Sequence, residues 1–93
     1  MTFSDIKNKI SPILKRHRVK KAEVFGSYAM QTQSAKSDID ILVEVEKKTS
    51  LLDFIGIKIE LEDALGIRVD LVEYSAIKAA LKDKILRRTL PLL

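Results

Sequence analysis

The alternation of apolar and polar residues between positions 38 and 46 limits the possible folds of this chain more than any other feature. In a strand, residues two positions apart share a face. One face of this strand is entirely apolar and consists of Ile39, Ile41, Val43 and Val45. The other face begins with Asp38 and Asp40, although aspartate costs a strand up to about 1 kcal/mol. A strand that breaks a local preference in this way is typical of a functional site.

Periodic patterns on both sides of this strand predict the element order α-β-α-β-α-β-α within one domain that covers residues 1–93. The elements are a first helix capped by Ser4, a strand from Ala22 to Phe25, a brief helix or turn from Ser27, the strand from Asp38 to Glu46, a helix from Leu51 to Leu65, a strand from Ile67 to Val72, and a last helix from Ser75 to Arg88. We expect Pro12 to kink or restart the first helix and Gly66 to end the middle one. The fold class is therefore α/β.

The composition is that of a soluble globular protein, with 46% apolar and 32% charged residues. The apolar runs are short, so no membrane span is expected. The chain has no cysteine, which excludes a disulfide framework and favours a cytosolic location. Its net charge of +4 is concentrated in two basic runs, at positions 15–21 and 78–88, which form either solvated helix faces or contacts with phosphates or an acidic partner.

The middle helix carries two apolar stripes, which a helical projection at about 100° per residue separates. One stripe consists of Leu51, Leu52, Ile55 and Ile59, and the other of Phe54, Ile57, Leu61, Ala64 and Leu65. One stripe can cover the sheet. The other is either buried against neighbouring helices or exposed as a partner surface.

Asp38 and Asp40 form a candidate metal site, because they lie roughly 6.6 Å apart along one strand face. Hard carboxylate oxygens suit Mg²⁺ or Mn²⁺, and Mg²⁺ completes its shell with phosphates and water. Asp70, on the polar face of its own strand, can join the cluster from a neighbouring strand. The alternatives are strand-start capping and solvation for the first two residues, and a surface pair with Arg68 for Asp70.

Gly26 and Ser27 follow a predicted strand and open a predicted helical turn. Free backbone N–H groups and the helix dipole favour an anion at such a position. A Gly-Ser pair is also common turn chemistry. With the three carboxylates nearby, however, the pair predicts a site for phosphoryl or nucleotidyl transfer.

The spacing Gly26-Ser27, ten residues, Asp38-Ile39-Asp40 resembles the G-S-x10-D-x-D signature of the polymerase β-related nucleotidyltransferases. Over its whole length the chain is similar to minimal nucleotidyltransferases, the antitoxin partners of HEPN-domain toxins. The resemblance implies a mixed sheet with helices packed on it. It also implies that Asp38, Asp40 and Asp70 hold two Mg²⁺ ions, that Gly26 and Ser27 grip the phosphates of ATP, and that AMP is transferred to a tyrosine of a HEPN ribonuclease toxin.

One residue departs from the family pattern. Many members have an arginine where this chain has Met30, and methionine cannot donate a hydrogen bond to phosphate. The alternative hypothesis is therefore a catalytically degenerate module that neutralises the toxin by binding. A third hypothesis is a transferase directed at RNA or a small molecule. Aromatic residues make up only 5% of the chain, however, and offer few stacking platforms for bases. Direct nucleic-acid binding is therefore not expected.

Overall fold

A four-stranded mixed sheet with two helices packed on it makes up the described part of the chain, which is residues 2–25, 38–77 and 89–93 of a computed structural model. In chain order the elements are α1 (Phe3–Arg16), β1 (Lys21–Phe25), β2 (Ile39–Glu44), α2 (Leu51–Leu65), β3 (Val69–Glu73), a 3₁₀ turn (Tyr74–Ala76) and β4 (Leu90–Pro91). The strand order is β3-β2-β1-β4. β2 runs parallel to β3, whereas β1 is antiparallel to both of its neighbours. The predicted α/β class and mixed sheet are confirmed.

The first helix differs from the prediction in its cap and at Pro12. Thr2 is its cap, not Ser4: the Thr2 hydroxyl accepts from the Asp5 N–H at 3.1 Å, and the Asp5 carboxylate accepts from the Thr2 N–H at 2.9 Å. This reciprocal pair satisfies two free N–H groups and lowers the pKa of Asp5. The predicted restart at Pro12 is not seen, since α1 is one continuous helix through it. Pro12 is exposed, so water can hydrogen-bond to the carbonyl that it leaves without a partner.

The core lies between the two helices and one face of the sheet. Its buried residues are Ile6, Ile10, Leu14, Val19, Ala22, Val24, Ile39, Ile41, Val43, Ile57, Leu61, Leu65, Val69, Leu71 and Leu92. The predicted apolar faces of β2 and β3 are therefore confirmed, and the stripe of α2 that meets the core is the one that contains Ile57, Leu61 and Leu65. We call the second stripe of α2, Leu51, Leu52, Ile55 and Ile59, the outer stripe; its side chains are 74%, 81%, 41% and 52% exposed.

The ends of α2 are as predicted. The Ser50 hydroxyl accepts from the Asp53 N–H at 3.1 Å and caps the helix. Gly66 ends it in the left-handed conformation, with φ of 70°, which a side chain would disfavour. Within the described ranges, no helix combines the length and the apolar character needed to cross a membrane.

The end of the chain differs from the prediction. Ser75 lies inside the 3₁₀ turn, and Ile77 after it is extended, so a helix does not start at Ser75. The remainder of that predicted helix, and the brief helix or turn predicted from Ser27, lie outside the described residues. β4 was not predicted. Its Leu90 pairs with Val24, and the Leu92 N–H donates to the Ala22 carbonyl at 2.9 Å.

Candidate active site

Asp40 and Asp70 are brought side by side by the parallel pairing of β2 and β3. Each is the second residue of its strand, and their Cα atoms are direct partners in the register. Both alternate with core residues and therefore lie on the sheet face away from the core. Asp38 precedes β2 by one residue. The three carboxylates predicted from the sequence thus lie at the shared start of two neighbouring strands.

Asp40 is the most buried of the three carboxylates. Its side chain is half-buried, whereas Asp38 and Asp70 are exposed. Burial raises the pKa of Asp40 to about 6, with further contributions from the charge of Asp70, a hydrogen bond with Asp70 and the charge of Asp38. Neighbouring carboxylates that repel each other in this way are stabilised by a proton or a cation.

We expect the Asp40 carboxyl to titrate with a midpoint near pH 6 in the metal-free protein, measurable from its side-chain carbon chemical shift in NMR. Because the folded pKa lies above the unfolded value of 3.8, the folded state binds the proton more tightly. The contribution of Asp40 to stability is thus fully present below about pH 4 and is lost as the pH rises to about 6. A midpoint near pH 4 would contradict the burial of Asp40 and its repulsion by Asp70.

A polar cavity of about 320 Å³ opens beside these carboxylates, lined by Asp38, Lys58, Glu62, Arg68, Val69 and Asp70. Glu62 accepts from the Val69 N–H at 3.0 Å and so fixes the start of β3, next to Asp70. The predicted alternative of a surface pair between Arg68 and Asp70 is not seen, since the ion pairs found among the described residues lie elsewhere. Sequence reasoning missed Lys58 and Glu62, although their spacing of four residues places both on one side of α2.

The donor set fits a divalent cation in part. Mg²⁺ is usually bound by one or two protein carboxylates, with phosphates and water as its other ligands, and the opposed pair of Asp40 and Asp70 matches this need. A cation there would also relieve the repulsion that raises the Asp40 pKa. Across residues 2–25, 38–77 and 89–93, however, no three acidic or histidine side chains come close enough to hold one ion together.

The predicted phosphate-binding residues Gly26 and Ser27 lie outside the described residues, as does Met30. The chain reaches them from Phe25, the last residue of β1. Phe25 is the direct register partner of Asp40. Gly26 is therefore one peptide bond beyond a residue that adjoins the carboxylates.

Farther along the same sheet face, Tyr74 covers a second group of polar side chains. The 3₁₀ turn packs against β2, where Leu42 is fully buried despite facing away from the core. Lys21 Nζ lies 5.2 Å from the centre of the Tyr74 ring and 3.4 Å from Glu23 Oε1. Burial, followed by the nearby charge of Glu23, raises the pKa of Tyr74, so its hydroxyl stays protonated. These contacts make Tyr74 a packing residue.

A larger cavity of about 520 Å³ lies at the opposite end of β2 and β3. It is bordered by the loop before α2 and by Glu44, Glu73 and Ser75. None of the predicted site residues lines it, so the smaller cavity is the one that adjoins the carboxylates.

Comparison with known proteins places the chain in a family. The family model "Polymerase beta, Nucleotidyltransferase" matches residues 8–92. MJ0435 of Methanocaldococcus jannaschii, named as a candidate protein adenylyltransferase, is 50% identical over 93 residues, which cover 100% of both chains. The protein adenylyltransferase MntA of Thermococcus cleftensis is 42% identical over 72 residues, 77% of this chain and 73% of that protein.

Solved structures agree with the sequence comparisons. One described as a candidate minimal nucleotidyltransferase superimposes with a TM-score of 0.86 at 32% identity, covering 98% of this chain and 96% of the other. A toxin–antitoxin complex with AMP-PNP superimposes with a TM-score of 0.80 at 28% identity, covering 94% of this chain and 72% of the other.

Proposed function

The chain belongs to the polymerase β nucleotidyltransferase family, and we propose that it transfers AMP from ATP to a tyrosine hydroxyl of a HEPN-domain toxin, which it thereby neutralises. The observation that carries this proposal is the pairing of Asp40 with Asp70 at the start of β2 and β3, where the Asp40 pKa is raised to about 6. Two carboxylates held this closely are costly without a cation between them.

In the proposed reaction the acceptor oxygen attacks the α-phosphorus of ATP, a new oxygen–phosphorus bond forms, and pyrophosphate leaves. Mg²⁺ held by Asp40 and Asp70, with Asp38 beside them, would supply positive charge that offsets the phosphates. Asp70 is exposed, so it can accept the proton that the attacking hydroxyl releases. Gly26 and Ser27 would bind the phosphates of ATP through backbone N–H groups and a hydroxyl.

A protein acceptor is supported by the relatives and by the outer stripe of α2. The relatives are named for protein adenylyltransfer, and a neighbour with bound AMP-PNP is a toxin–antitoxin complex. Ile55 and Ile59 of the outer stripe stand three residues from Lys58 and Glu62, which line the cavity beside the carboxylates. Residues three apart on a helix are neighbours, so the stripe borders the site where the acceptor must enter.

The test is the intact mass of a HEPN-domain protein encoded next to this chain, after co-expression with the unaltered chain or with an Asp38→Asn, Asp40→Asn double variant. We expect an adenylyl mass gain only with the unaltered chain. Because asparagine keeps the shape of aspartate, the double variant should still bind its partner.

An unchanged mass with both chains, while both suppress toxicity, would contradict the proposal and make this chain a binding antitoxin. A mass gain with both chains would show that the transfer does not depend on the two carboxylates. The same comparison is repeated with purified proteins, ATP and Mg²⁺, so that no other transferase of the cell can be responsible for a mass gain.

A further inference from the structure

Two cationic side chains lie beside the candidate catalytic carboxylates. Lys58 of α2 and Arg68, just before β3, line the 320 Å³ cavity together with three carboxylates, Asp38, Glu62 and Asp70. Lys58 is half-buried and Arg68 exposed. The ion pairs within 4.0 Å that the described residues form are Arg16–Glu60, His17–Glu60 and Lys21–Glu23. Neither cavity cation takes part in these pairs of described residues.

The cavity lies on the side of the carboxylates that faces away from β1. β2, which carries Asp40, is flanked by β1 on one side and by β3 on the other. The β1 side leads from Phe25 directly into Gly26 and Ser27, which we propose bind the phosphates of ATP. The cavity is on the β3 side, between that strand and α2.

An in-line displacement places the attacking and leaving oxygens on opposite sides of the phosphorus. If the triphosphate occupies the β1 side, the pyrophosphate leaves there and the acceptor arrives from the β3 side. The cavity that holds the two cations lies on that same β3 side.

We propose that Lys58 and Arg68 bind an oxyanion of the acceptor protein next to its reacting hydroxyl, and so orient that hydroxyl toward the carboxylates. This inference rests on the proposed function. The oxyanion is either a carboxylate side chain close to the hydroxyl or the phosphate of an adenylyl group already attached there. Both accept charge-assisted hydrogen bonds from an ammonium or a guanidinium group.

Lysine variants of this chain distinguish the two sources. The partner toxin is incubated with ATP, Mg²⁺ and either the unaltered chain, Lys58→Met, Lys58→Arg or the control Lys48→Met, and its intact mass is followed over time. Lys48 lies exposed in the turn before α2, at the opposite end of the strands. We expect Lys58→Met to slow transfer about tenfold or more, since it removes a hydrogen bond to a charged group. Lys48→Met should keep the unaltered rate, whereas Lys58→Arg, which retains the positive charge, should slow transfer less than Lys58→Met does.

Which adenylyl addition becomes slower in Lys58→Met identifies the oxyanion. A slower first addition indicates a carboxylate of the acceptor, whereas a slower later addition with an unchanged first one indicates the attached phosphate. Binding of the unmodified and of the adenylylated toxin is also measured in EDTA. The toxin form whose modification slows should be the one that Lys58→Met binds more weakly. A loss of folding alone would weaken the binding of both forms. Arg68→Gln provides a second, independent variant.

The experiment distinguishes a failure of the oxyanion site from a failure of the proposed AMP transfer. If the unaltered chain transfers AMP and Lys58→Met does so with the same rates and affinities, the oxyanion site is wrong and the proposed function stands. If the unaltered chain adds no adenylyl group, both are overturned. If Lys58→Arg is as slow as Lys58→Met, Lys58 acts through its shape and not its charge, which also overturns the oxyanion site.

Discussion

Replacing Asp40 with asparagine should lower the rate of AMP transfer by about a hundredfold to a thousandfold and at the same time stabilise the metal-free protein at pH 7. The rate falls because the variant loses one of the two carboxylates proposed to hold Mg²⁺, whose positive charge would stabilise the transition state. The stability rises because the ionised Asp40 is half-buried beside Asp70, which raises its pKa to about 6. Allowing for solvent around both groups, the gain is about 1 kcal/mol.

The measurements are single-turnover transfer to the partner toxin and the unfolding free energy in urea at pH 4 and pH 7. The gain should be present at pH 7 and nearly absent at pH 4, where Asp40 is protonated in the folded protein. Asp63→Asn on α2 is the matched control, since Asp63 is exposed and outside the site. A variant that loses both activity and stability at pH 7 would show that Asp40 is a structural residue.

Replacing Leu61 with alanine should destabilise the protein by about 2–5 kcal/mol, because it opens a cavity where a fully buried side chain contacts the core. Replacing Ile59 with alanine, two residues earlier on the same helix, should change stability by less than about 0.5 kcal/mol, since Ile59 is 52% exposed. Thermal and urea unfolding of the two purified variants measure both effects. Similar losses at both positions would mean that the outer stripe is also covered within the chain.

Much of this fold follows from local chemistry. The period-two patterns of β2 and β3 specify which face is buried, because a shift by one residue would expose every apolar side chain. The two stripes of α2 were separable by periodicity, but only the fold shows which of them meets the sheet, since both are comparably apolar. The start of α1 was misplaced because Ser4 and Thr2 are both good caps, and the partner Asp5 decides between them.

The candidate site was predictable in its residues but not in its pairing. Asp38, Asp40 and Asp70 stand out because aspartate is rare in strands, yet the direct opposition of Asp40 and Asp70 depends on a parallel register between strands that are distant in sequence. Lys58 and Glu62 carry no such signal, because charged residues on a helix are usually solvated. β4 was missed because two residues that include a proline do not resemble a strand.

The pairing of β1 with β4 has a consequence for folding. It joins Val24 to Leu90, which are far apart in the sequence, so one edge of the sheet is covered only when this long-range contact forms, and such contacts slow folding. Until then the backbone of β1 presents an unpaired edge to other chains, a template for aggregation. Once formed, β4 places Pro91 on the outermost strand, where its missing N–H deprives a further strand of a hydrogen-bond donor. The last strand in the chain is thus also the one that stops the sheet from growing.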